Sequence, residues 1–101
     1  QKSLWELHLY LTEQCGLEPK IKFNIPFYYG RTWVCYINVH VKSQSFEFCF
    51  LNGIEMSTQW ERLDMRGRQM VAGVVFKCDE KVIGPQLEEA VQEALILDEG
   101  L

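Results

Sequence analysis

The chain reads as α+β, a two-layer sandwich built as a helix, a mainly antiparallel sheet of about five strands, and a second helix. Three observations predict it. Period-two apolar alternation fills the middle of the chain, from Ile21 to Phe76. Apolar stripes at helical spacing stand at both ends. The connections between the alternating runs are too short for crossover helices, which argues for antiparallel pairing with both helices on one face.

The first helix is predicted over Leu4 to Cys15. Ser3-Leu4-Trp5-Glu6 matches a capping box, with Ser3 as N-cap. Leu4, Leu7 and Leu11 follow at helical spacing, and Gly16 is a natural stop. Ile21, Phe23 and Ile25 then alternate with Lys20, Lys22 and Asn24, so a strand with Phe23 on its core face is expected. Pro26 ends that strand or sets it near an edge. Phe27-Tyr28-Tyr29 resumes an extended segment, and Gly30-Arg31 reads as a hairpin turn. Trp33, Cys35, Ile37, Val39 and Val41 form one face of the clearest strand; Tyr36, Asn38 and His40 lie on the other. After Ser43-Gln44, Phe46, Phe48 and Phe50 form one face of the next strand, closed by Asn52-Gly53.

Between Ile54 and Arg68 the spacing of Met56, Trp60 and Leu63 predicts a short helical turn or a lapping loop. A strand follows over Gln69 to Cys78, with Met70, Ala72, Val74 and Phe76 on one face. Gly73 inside it signals a bulge or a close backbone approach. Gly84-Pro85 opens the last helix, since proline suits the first helical position. Leu87, Ala90, Val91, Ala94 and Leu95 supply its apolar stripe.

A chain of 101 residues, 48% hydrophobic and 24% charged, is one globular domain with a thin stability margin. No uncharged run is long enough for a transmembrane helix, and no signal peptide is visible, so a cytoplasmic protein is expected. A net charge of −4 argues against nucleic acid as the main partner, because phosphate binding wants a basic face. The four cysteines form no CxxC pair of the kind a zinc site uses, and they read as reduced, structural thiols.

The segments "KIKFNIPFYYGRTWVCYINVHVK", "SFEFCFLNGIEMS", "RGRQMVAGVVF" and "LEEAVQEALILD" together resemble the YdhG-like family of small bacterial domains. Ile25-Pro26-Phe27-Tyr28 matches that family's Pro-x-Tyr strand end, Phe50 to Met56 its Phe-x-x-Gly-x-x-Leu turn with Met for Leu, and Gly67-Arg68 its turn into a strand. The resemblance implies a compact α–β–α sandwich similar to frataxin in outline. It also implies iron carriage by carboxylates of the first helix, here Glu6 and Glu13.

Glu88, Glu89 and Glu93, with Asp98 and Glu99 beyond them, are further candidates for weak binding of a hard cation; the alternative is a solvated helix face. His8 and His40 sit on different elements without local carboxylate spacing. Arg66-Gly67-Arg68 reads as a site for an anion or as a polar hairpin tip. Tyr28, Tyr29, Tyr36 and His40 are candidate contacts for a ligand or partner, because tyrosines on an uncovered sheet face serve that purpose. No nucleophile–base pair is legible, and the chain reads as a binding protein, not an enzyme. It is expected to be an iron carrier by resemblance. The alternatives are a module docking a protein or its own copy through an aromatic sheet face, or a small-molecule binder using Tyr28, Tyr36 and Arg68.

Overall fold

The computed structural model describes residues 2–100. Helix α1 (Lys2–Leu9) continues into a π-helical turn (Tyr10–Gln14). Five strands follow: β1 (Glu18–Lys22), β2 (Ile25–Tyr29), β3 (Trp33–His40), β4 (Ser45–Phe50) and β5 (Ala72–Lys77). A 3-10 turn (Gly53–Glu55) opens the long β4–β5 loop, and helix α2 (Pro85–Glu99) follows β5. The strands form one sheet in the order β1-β2-β3-β4-β5, with every neighbouring pair antiparallel.

Both helices share one core with the sheet. Leu7 and Leu11 come from the N-terminal helical segment, Leu87, Ala90 and Val91 from α2, and Tyr28, Ile37, Phe46, Phe48, Phe50, Val74 and Phe76 from the strands. The predicted alternations of Phe46-Phe48-Phe50 and Ala72-Val74-Phe76 therefore lie side by side on one sheet face, in register: Phe46 pairs with Phe76, Phe48 with Val74 and Phe50 with Ala72. Full burial of such a side chain contributes roughly 1.5–3 kcal/mol, so these rings are a main source of stability. All residues of β4 are buried, because β4 has a strand on each side, the helices on one face and the β4–β5 loop lapping the other.

That loop takes the lapping form. Met56, Trp60 and Leu63 pack on the core, as their spacing suggested, but from an irregular segment. Asp64 and Gly73 then exchange backbone hydrogen bonds of 2.9 Å each way, covering the outer edge of β5. Capping a free edge in this way removes a template for unwanted strand pairing. At the other edge, β1 carries Pro19, which has no N–H to offer, and Lys20 and Lys22, whose charges discourage pairing.

Several expectations need correction. Ser3 is no N-cap: it lies within α1, and its hydroxyl donates to the Glu80 carbonyl at 2.8 Å. The strand expected through Ile21, Phe23 and Ile25 is a hairpin. Lys22 pairs with Ile25, leaving Phe23 and Asn24 as a two-residue turn with φ of 55° and 61°. Positive φ at both central positions defines a type I′ turn, the form whose twist suits a two-residue hairpin. Phe23 is accordingly 80% exposed and outside the core.

Trp33 is also off the expected face. Tyr28 pairs with Cys35 while Tyr29 pairs with Trp33, so β3 carries one extra residue at Val34. Across this bulge Val34 and Cys35 both turn inward, and Trp33 joins Tyr29 on the far side. Val41 lies in the β3–β4 turn and Met70 precedes β5; both are exposed. Gly73 causes no bulge. It marks a close approach, since a Cβ there would collide with the Glu47 carboxylate.

Candidate ligand-binding groove

α1 does not cover the whole sheet. Leu4 and His8 stand four residues apart and face the same way, as helical spacing requires. Pro26 and Tyr28 alternate on β2, and Ile37 and Val39 on β3, so all four project toward the helices. With Trp5 these side chains line an apolar groove of about 380 Å³ between α1 and the β2–β3 part of the sheet. Two of its walls reach solvent: Trp5 is 60% exposed and Val39 43%.

A single polar pair sits in this apolar lining. Nδ1 of His8 and the hydroxyl of Tyr28 lie 2.9 Å apart. Trp5 stacks on the His8 ring, with centroids 5.3 Å apart and planes inclined by 21°. Burial pushes the Tyr28 phenol up to about 12, so it stays protonated at neutral pH. Apart from Tyr28, none of these residues was singled out from sequence as a site residue. The usable signal was Trp5, a large ring outside the Leu4-Leu7-Leu11 stripe, one turn from a histidine.

The opposite sheet face gathers the other aromatic candidates. Tyr36 stacks on Phe27 at 4.9 Å between centroids, and Trp33 meets Phe27 and Tyr29 edge-on at 5.6 and 4.9 Å. Lys20 lies 5.1 Å over the Tyr29 ring and Lys22 the same distance over Trp33. Tyr29 and Tyr36 thus belong together, and Tyr28 is separated from them by the thickness of the sheet. The expected trio of Tyr28, Tyr36 and Arg68 does not converge. His40, on the far face at the end of β3, is exposed and pairs with Ser45.

Arg66 and Arg68 turn to an internal partner. Glu47 on β4 is only 4% exposed. Arg68 spans its carboxylate with contacts of 2.7 and 3.2 Å, and Arg66 stands 3.5 Å away. Burial pushes the Glu47 carboxyl up, but the hydrogen bonds and charge of Arg68, with the charge of Arg66, outweigh it and hold the group below its usual range. The basic turn thus has a carboxylate of its own chain as partner, and neutralises it under the β4–β5 loop. Next to it, burial raises the Tyr36 phenol to about 12 and the Cys49 thiol to about 11.

The candidate metal-binding acids lie apart. Glu6 is exposed on α1, Glu13 on the π-helical turn, and Glu88 and Glu89 on α2. Glu93 is engaged: its carboxylate accepts the backbone N–H groups of Ser57 and Thr58 and both their hydroxyls. Asp98, one and a half turns on, does the same for the β2–β3 turn, accepting from Arg31 N at 2.7 Å, Thr32 N at 2.8 Å and Thr32 Oγ1 at 2.7 Å. The sequence offered weak cation binding or a solvated face for both; nothing in the pattern of α2 foretold these two clamps. Among the described residues no group of three or more His, Cys, Asp or Glu side chains gathers as metal ligands would. The four cysteines are free thiols, with Cys35 and Cys49 buried. No helix of the described residues is long and apolar enough to cross a membrane. Compared with family models, curated proteins and solved structures, the chain matches none of them.

Proposed function

We propose that this chain is a binding domain that takes a small apolar molecule in the groove between α1 and the sheet. The observation that carries this reading is the concave apolar lining of Leu4, Trp5, Pro26, Ile37 and Val39 around the single His8–Tyr28 polar pair. Such a lining, in which a few polar groups orient an otherwise apolar ligand, is the usual make-up of a small-molecule site, and its volume falls in the range of about 300–1,000 Å³ those sites occupy. Titrating indole to millimolar concentration into ¹⁵N-labelled protein tests it. Amide shifts confined to Trp5, His8, Tyr28, Ile37 and Val39 are expected. Shifts centred on Tyr29, Trp33 and Tyr36, or none, would count against the groove.

The ring cluster on the opposite face supports a second reading, docking of a second copy. Its rings sit on the sheet face away from both helices. A concentration-dependent dimer by sedimentation, dispersed by Tyr36→Ala, is its test. The resemblance to the YdhG-like family supports a frataxin-like outline through the shared order of helix, antiparallel meander and helix. The iron carriage it implies would fall to exposed carboxylates on separate elements, with Glu93 withdrawn into its clamp. Anaerobic titration of ferrous iron, beside a Glu88→Gln/Glu89→Gln/Glu93→Gln variant, tests that role directly.

A further inference from the structure

The chemistry of the groove also narrows its ligand, on the premise that the groove is the binding site. Seven side chains line it, and none is Lys, Arg, Asp or Glu. A charged ligand would lose hydration there without gaining a counter-charge, which is costly. The occupant is small: a stable protein–protein interface needs on the order of 1,000 Å² or more, well beyond what seven side chains around one helix turn offer.

The polar pair fixes the rest. Tyr28 is 1% exposed, and its hydroxyl bonds to Nδ1 of His8. A buried O–H must donate or go unsatisfied. Among the described residues Nδ1 is its one partner, and the assignment that leaves no hydroxyl proton unsatisfied has the phenol donating and Nδ1 accepting. The imidazole proton then resides on Nε2, across the ring from Tyr28. Nε2 has no hydrogen-bond partner among the described residues and is left as a donor on a groove-lining ring. Trp5, stacked on that ring, adds a flat aromatic wall.

We infer that the groove takes a neutral, planar, largely apolar molecule carrying one hydrogen-bond acceptor, which the Nε2–H of His8 binds. Two probes of nearly equal shape separate the parts of this inference: 2-acetylnaphthalene, which carries a carbonyl acceptor, and 2-ethylnaphthalene, which does not. Equilibrium dialysis measures both against the wild-type protein, His8→Phe and Val39→Glu. The ketone should bind about fivefold to tenfold more tightly than the hydrocarbon, as one net hydrogen bond allows. His8→Phe should erase that preference, and Val39→Glu, which sets a carboxylate at the groove mouth, should abolish binding of both. If His8→Phe fails to fold by circular dichroism, His8→Leu takes its place.

Equal binding of the two probes by the wild type, lost together in Val39→Glu, would overturn the acceptor inference and leave the groove reading standing. So would a ketone preference that survives loss of His8. Binding of neither probe, or binding indifferent to Val39→Glu, would overturn both. A wild-type dimer that Val39→Glu dissociates would replace the small molecule by a second copy.

Discussion

Arg68→Leu removes the main partner of a buried carboxylate, and its cost follows from the geometry. Glu47 is almost fully buried, while the Arg68 side chain is 31% exposed. Without Arg68 the carboxylate keeps Arg66 at 3.5 Å, whose side chain is 51% exposed and therefore well screened. Breaking a buried pair from one side typically costs about 3–5 kcal/mol, because the remaining charge is stranded. The residual Arg66 contact and the partial exposure of Arg68 place the expected loss near the low end, about 3 kcal/mol at pH 7. For a domain of this size that lowers the melting temperature by roughly 12–24 °C.

Glu47→Leu should cost less, about 1–2 kcal/mol, because the arginine it frees can turn toward water. The double variant should recover most of the loss, since an apolar pair of similar volume avoids desolvating two charges. The pH dependence supplies an independent check. In the wild type the Glu47 carboxyl is lowered, so its contribution is present above the ordinary carboxylate pKa of about 4.3 and is lost as pH falls through the lowered value. In Arg68→Leu burial acts with little opposition and the carboxyl is raised, so it protonates first and sheds its penalty. The stability gap between variant and wild type should therefore narrow as pH falls from 7 toward 4. Urea unfolding at several pH values measures it. A cost under 1 kcal/mol at pH 7, or a gap that widens on acidification, would refute the assignment of Glu47 as a buried charge held by Arg68.

Two further outcomes are expected. Burial opposes the ionisation of Glu93, but the hydroxyl and backbone N–H groups of Thr58 and Ser57 prevail and lower its carboxyl to about 2; Thr32 and Arg31 likewise lower Asp98. Their clamps stabilise the fold above about pH 4.3 and fade as pH falls through about 2, so Glu93→Gln should cost about 1–2 kcal/mol at pH 7 in urea unfolding and only a small part of that at pH 2. In the β1–β2 hairpin, Phe23→Asn with Asn24→Gly replaces a bulky exposed residue at φ 55° with the preferred type I′ pair, and should raise stability by about 1 kcal/mol, seen as a rise in melting temperature of roughly 4–8 °C.

Local pattern was enough for the α+β class, the helix start at Gly84-Pro85 and the inward faces of β4 and β5. Each follows from a side-chain period or a cap that short-range sterics impose. The hairpin at Phe23-Asn24 escaped that reading because alternation continues through it: Ile21, Phe23 and Ile25 keep a period of two whether the chain runs straight or reverses. Trp33 was misplaced because a bulge changes facing by one residue and leaves no mark in the sequence around Val34.

The groove and the clamps are of another kind. His8 meets Tyr28 across 20 positions, Arg68 meets Glu47 across 21, and Asp98 meets Thr32 across 66. Burial of Glu47 depends on a loop closing over the sheet, and availability of His8 depends on α1 leaving part of β2 and β3 uncovered. Within an unbroken element the sequence determines which way each side chain faces, because backbone geometry fixes the period there. Which charges are neutralised, which carboxylates are withdrawn from solvent and which polar atoms remain open to a ligand were decided only by the tertiary structure, because those properties belong to pairs of distant residues and to the solvent excluded between them.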